Sequence, residues 1–168
     1  MKRLILTPQE AADIAALKAG ERIVVRRKIK PKPFCGPSKS SDSGKWYILT
    51  CAGAPWTEIR CPYPVGTEVW CAETFVIETN FNIVDYPPPF NDERPIRRHE
   101  NFDYGPWWEQ PHYRATDPTP DLAYDDLDEP HCRWVPSVRM PQWASRSRIV
   151  CRGVEVDDNE WVYTMEKM

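Results

Sequence analysis

Nowhere in its 168 residues does this chain approach the roughly 20 consecutive apolar positions of a membrane-spanning helix, so no span is expected. After Met1, the opening MKRLILTPQE has two basic residues but only three apolar ones before Thr7 and Pro8. That is too little for a secretory leader, and a cytoplasmic location is the expectation. The G-x-S-x-G elbow, the Walker A loop and the Rossmann glycine pattern are also missing, which removes three common enzyme signatures. Neither C-x-x-C nor H-x-x-x-H spacing occurs, so His131, Cys132, Cys61 and His112 are not expected to hold a metal, and no cofactor is expected either. There is no internal repeat. A net charge of only −3 argues against a generic polyanion binder.

What the chain does hold is proline and tryptophan, with 18 and 8 residues respectively. Its six cysteines are scattered, and Cys51, Cys71 and Cys151 fall in expected strands, so reduced thiols rather than disulfides are expected. The charge is unevenly divided. Residues 1–60 hold 12 Lys/Arg against 5 Asp/Glu, whereas residues 61–168 hold 10 against 20. Steering depends on local fields, so a basic site beside an acidic flank is compatible with the total.

TPQEAADIAALKAG predicts a helix over 8–19. Thr7 and Glu10 make a capping box, Pro8 takes the first helical position and Gly20 is the stop. Strands are expected at 22–27, 45–51, 68–77, 147–156 and 160–166, the last two joined by a turn at 157–159. In the third strand, alternation puts Glu73 on one face with Val69, Cys71 and Phe75. Residues 85–130 carry nine prolines and 12 Asp/Glu against 4 Lys/Arg, and a long Pro/acidic loop insertion is expected at about 78–131. The sum is a single domain spanning 1–168 of β-rich α+β class, a small barrel with one short N-terminal helix.

The run WVPSVRMPQWASRSRI, residues 134–149, concentrates the candidate chemistry. Trp134 and Trp143 offer stacking planes, Ser137 a hydroxyl, and Arg139 and Arg146 donor forks for phosphate or base edges. The competing reading is that the tryptophans plug one end of the barrel and the arginines pair with acidic residues. Glu73, a carboxylate on an apolar face, needs a partner, and Arg139, Arg146 or Arg27 would serve. Arg26, Arg27 and Lys30 belong to a basic run suited either to a nucleic-acid backbone or to blunting an exposed edge strand. The acidic tract 117–129 is a solvated loop or a contact for a protein partner.

Three stretches in order, LKAGERIVVRRKIKPKP, CPYPVGTEVWCAETF and WVPSVRMPQWASRSRI, resemble motifs of phage and prophage ASCH-domain proteins. The resemblance implies a PUA-like β-barrel with a helix across its opening, and the host cytoplasm as location. It also implies RNA, a nucleotide or a modified nucleobase bound in a cleft between helix 8–19 and the Trp/Arg motif. On that basis the five strands should share one barrel-like sheet, and separate sheets would count against the family. Some relatives are hydrolases, including amidohydrolases of N4-acetylcytidine and ribonucleases. The amidohydrolase type uses a lysine and a threonine where this chain has Arg22 and Val25. Arginine stays protonated and valine has no hydroxyl, so binding is expected over hydrolysis, with Arg22 and Glu73 as weak catalytic candidates. The alternatives are a hydrolase with an altered site and a protein-binding anti-defence factor using the acidic loop.

Overall fold

A computed structural model describes residues 1–80, 94–100, 107–118 and 134–168. The described chain is β-rich, with one α-helix, α1 (Pro8–Ala16), and strands in three sheets, none closed into a barrel. The strands in chain order are β1 (Lys2–Ile5), β2 (Arg22–Lys28), β3 (Ser38–Lys39), β4 (Trp46–Ile48), β5 (Thr57–Ile59) and β6 (Glu68–Ala72). They continue as β7 (Phe75–Asn80), β8 (Arg97–His99), β9 (Trp107–Tyr113), β10 (Arg148–Asp157) and β11 (Glu160–Lys167). The sheet orders are β1-β6-β10-β11-β2, β3-β4-β5 and β7-β9-β8. The five strands expected to share one barrel-like sheet are therefore divided among three. The described chain divides into two compact units, residues 1–2, 17–69 and 149–168 in one and residues 3–16 and 70–148 in the other.

In the first unit, β10 and β11 form a tight hairpin whose turn residues Asp158 and Asn159 have φ of 45° and 64°. Both central residues of a type I′ turn need positive φ, which Asp and Asn tolerate, and this turn matches the right-handed strand twist. A register shift between Cys151 and Gly153 marks a bulge at Arg152. Strand β2 pairs with β11 from Arg22↔Glu166 to Lys28↔Glu160. Val25, Ile48, Tyr163 and Met165 are fully buried in this unit. The strand expected over 45–51 shortens to β4, which leaves Cys51 exposed in a turn, while Cys71 and Cys151 are buried in strands as expected. Cys35, Cys51, Cys61, Cys71 and Cys151 are all free thiols, and Cys132 lies outside the described residues.

In the second unit, α1 opens with the expected capping box. The Glu10 carboxylate accepts from the Thr7 amide at 2.9 Å, and the Thr7 hydroxyl accepts from the Glu10 amide at 3.3 Å. The helix ends at Ala16 rather than 19. The Lys18 amide donates to the Glu21 carboxylate at 2.8 Å, which removes it from the helical ladder. Two 3-10 turns, Ser137–Arg139 and Gln142–Ala144, follow Pro136 and Pro141 in the Trp/Arg motif. They pack Met140 and Ala144 into a cluster with Trp70, Ala72, Phe75 and Tyr113.

The segment expected to be a loop insertion contains two strands, β8 and β9, as well as the end of β7. Proline is tolerated inside β9 for a local reason. Pro111 pairs with Ile77 of β7, whereas β8 pairs only Trp107 to Glu109. The side on which Pro111 lacks a donor is thus a sheet edge, where proline is allowed. The acidic tract from residue 119 onward, with His131, lies outside the described residues.

Candidate functional site

Glu73 sits at the break between β6 and β7, with only 3% of its side chain exposed. The alternation that pointed to it does not hold, because Val69, Trp70, Cys71 and Ala72 are all buried. Its partner is nevertheless one of the three expected arginines. Arg146 donates from Nε to Oε1 at 3.0 Å and from Nη2 to Oε2 at 2.9 Å, a bidentate fork. Nη1 donates to the Thr116 hydroxyl at 2.8 Å, and the guanidinium lies 4.1 Å from the centre of the Tyr113 ring. The Tyr113 hydroxyl in turn donates to the Ala144 carbonyl at 2.8 Å, and burial pushes its pKa up although Arg146 pulls it down. Arg146 is thus engaged on three nitrogens and one face.

The rest of the motif is partly spent on packing. Trp143 is half-buried against the apolar cluster, with the guanidinium of Arg97 5.6 Å from its ring centre. Trp134 is half-buried, Ser137 begins the first 3-10 turn, and Arg139 is exposed at its end. The crevice beside α1 that reaches Glu73 is lined by Thr7, Pro8, Ala11, Thr74 and Arg114. It holds about 10 Å³, the room of one water, and admits no nucleobase.

Arg22, Arg26, Arg27 and Lys30 belong to the other unit. Arg22 donates from Nε to Glu166 at 3.1 Å, Arg26 donates to Asp157 at 2.9 Å, and Arg27 donates to the Arg26 carbonyl at 2.7 Å. Lys30 is exposed just past β2. Val25 is fully buried. Neither position supplies a base or a hydroxyl. Among the described residues, no group of three His, Cys, Asp or Glu side chains is placed to hold a metal ion.

The first unit holds a feature that no sequence motif marks. A cavity of about 630 Å³ is lined by Lys2, Lys39, Lys45, Arg60, Trp46 and Glu58, with Ile59 and Val65 among its apolar walls. This is within the ordinary range of small-ligand sites, about 300–1,000 Å³. Short strands build it: β3, β4 and β5 pair Lys39 with Trp46, and Trp46 with Ile59. The Lys39 ammonium lies 5.7 Å from the centre of the Trp46 ring, whose edge-to-face partner is Trp161 at 5.3 Å. Lys45 donates to Glu58 at 2.9 Å, and that bond raises the Lys45 pKa, while the nearby charge of Arg60 lowers it. Lys2 donates to the Pro62 carbonyl. Cys61 also lines the cavity, but burial pushes its thiol pKa up, so it is a poor nucleophile. The missed signal was the lysines of the 30–45 loop, whose prolines marked it only as a connection.

No family model, curated protein or solved structure matches the chain. No described helix is long and apolar enough to cross a membrane.

Proposed function

We propose that the protein binds RNA, a nucleotide or a modified nucleobase, and that the site is the basic cavity of the first unit. The observation that carries this reading is four cations, Lys2, Lys39, Lys45 and Arg60, arranged with Trp46 around about 630 Å³. Cations recognise phosphate, and an indole face stacks on any base, so the pair of features fits a ligand that is both flat and anionic. The cleft beside α1 is not the site in this reading, because Arg146 is already committed to Glu73.

Binding is favoured over hydrolysis. The Arg22 guanidinium cannot act as a base near neutral pH, and Val25 has nothing to donate. Membership of the phage-type ASCH group with its PUA-like barrel is a further proposal, resting on the three ordered motifs. The division of the strands among three sheets lends it no support.

The test is a thermal-shift series with uridine, uridine 5′-monophosphate and hexauridylate. A ligand that binds only the folded state raises the melting temperature. The expected result is a rise with a phosphate-bearing ligand that Lys39→Gln weakens. No rise with any of the three at millimolar concentration would overturn the reading. Incubation with N4-acetylcytidine is expected to release no cytidine, and release over many turnovers would restore the hydrolase.

A further inference from the structure

We propose that the basic cavity selects a phosphate monoester, the terminal phosphate of a nucleotide or of an RNA end, over an internal phosphodiester. The inference rests on the ligand class proposed above and narrows it. The cavity wall brings four cations, Lys2, Lys39, Lys45 and Arg60, against the single carboxylate of Glu58. Like charges gathered this way repel, and Arg60 stands close enough to Lys45 for its charge to be felt there. The resident carboxylate offsets one charge of the four.

The two phosphate types differ in what they bring to such a wall. An internal diester carries one negative charge and two unbridged oxygens. A terminal monoester carries about −1.5 to −2 charges near neutral pH and three strong acceptor oxygens. The monoester brings a third unbridged oxygen and the larger charge, so it meets the Arg60 fork, the Lys45 ammonium and a third donor with more attraction than a diester does. Lys45 is available for the exchange. Its pair with Glu58 is 2.9 Å long but sits at the surface, with the side chains 54% and 39% exposed. Exposed pairs are held weakly, so a phosphate can take the place of Glu58. The cavity volume, about 630 Å³, is enough to take one nucleotide.

The test compares two probes with the same base, uridine 5′-monophosphate and the dinucleotide UpU lacking a terminal phosphate, by calorimetry on the full chain. The wild type is expected to bind the monophosphate about tenfold more tightly. Lys45→Gln and Arg60→Gln are each expected to cost the monophosphate about tenfold and UpU no more than about twofold, with unchanged melting temperature of the free protein. Both positions are on the surface loops of the cavity, so folding is not at stake. Equal wild-type affinity for the two probes overturns the monoester inference and leaves the ligand class standing. A preference that survives both substitutions also overturns it, because the two cations then do not read the phosphate. No binding of either probe overturns the site itself. Hexauridylate with and without a 5′-phosphate distinguishes the source. Tighter binding of the phosphorylated hexamer shows that an RNA end enters, and equal binding of the two hexamers beside tight monophosphate binding shows that only a free nucleotide does.

Discussion

Arg146 holds Glu73 by both ends of its guanidinium, at 3.0 and 2.9 Å, and both side chains are largely withdrawn from water. Seventy-three residues apart in sequence, they tie the Trp/Arg motif to the break between β6 and β7. The amide of Glu73 also donates to the Met140 sulfur at 3.3 Å, so the motif is anchored to this break twice.

Removing one partner of a buried ion pair leaves the other charge uncompensated. Arg146→Met is therefore expected to cost about 3–5 kcal/mol in urea unfolding. Glu73→Gln keeps the shape and one acceptor and should cost less, about 1–3 kcal/mol. Replacing both residues by methionine should recover most of the loss, since a buried pair is often matched by apolar packing. If Arg146→Met is as stable as the parent, the pair does not hold the fold.

The sequence disclosed this pair chemically but not geometrically. A glutamate among apolar neighbours has to find a cation, and the arginine-rich run was a natural source. What it could not disclose was that Val69 to Ala72 are buried on both faces, so burial of Glu73 does not follow from alternation. The helix start, the β10–β11 hairpin and the β2 edge were legible because caps, turn residues and β-branched runs are local signals. Strands β8 and β9 were not, because Pro111 and the charged flanks read as loop until β7 supplies the pairing. The basic cavity was illegible for a related reason. Lys2 and Arg60 are far in sequence from Lys39 and Lys45, and the short β3-β4-β5 sheet brings three of the four to one wall.

High pH should unfold the protein through two tyrosines. Burial pushes the hydroxyls of Tyr113 and Tyr163 well above the ordinary value of 10, and for Tyr163 the neighbouring Cys61 adds to the effect. A folded-state pKa above the unfolded one gives stability that is complete below the unfolded value and is lost as pH rises beyond it. Stability should thus decline above about pH 10, and Tyr163→Phe should flatten the decline. Absorbance titration checks this. Ionisation of every tyrosine near pH 10 with the fold intact would contradict it.

Glu166 should titrate below an ordinary glutamate. Arg152 donates to it at 2.7 and 3.1 Å and Arg22 at 3.1 Å, and these bonds hold its pKa down. The sign is the reverse of the tyrosine case: the contribution is present above the unfolded carboxylate value and fades as pH falls through the lower folded one. Arg152→Ala should move the Glu166 titration, followed by carboxyl carbon resonances, upward toward the free value. An unmoved titration would show that the Arg152 contact is not populated in solution.

Trp46 should contribute to affinity without contributing to phosphate selection. Its ring lines the cavity, its edge-to-face contact with Trp161 fixes its plane, and Lys39 lies 5.7 Å from its centre. Base–aromatic stacking is worth about 1–3 kcal/mol per base and is indifferent to the phosphate. Trp46→Leu should therefore weaken uridine 5′-monophosphate and UpU by the same factor, about 5- to 150-fold, and leave their ratio unchanged. The cation substitutions Lys45→Gln and Arg60→Gln should do the opposite, changing the ratio most. The two kinds of variant together separate the base plane from the phosphate wall. Should Trp46→Leu bind both probes as the parent does, the indole is packing for Trp161 and the ligand lies elsewhere in the cavity.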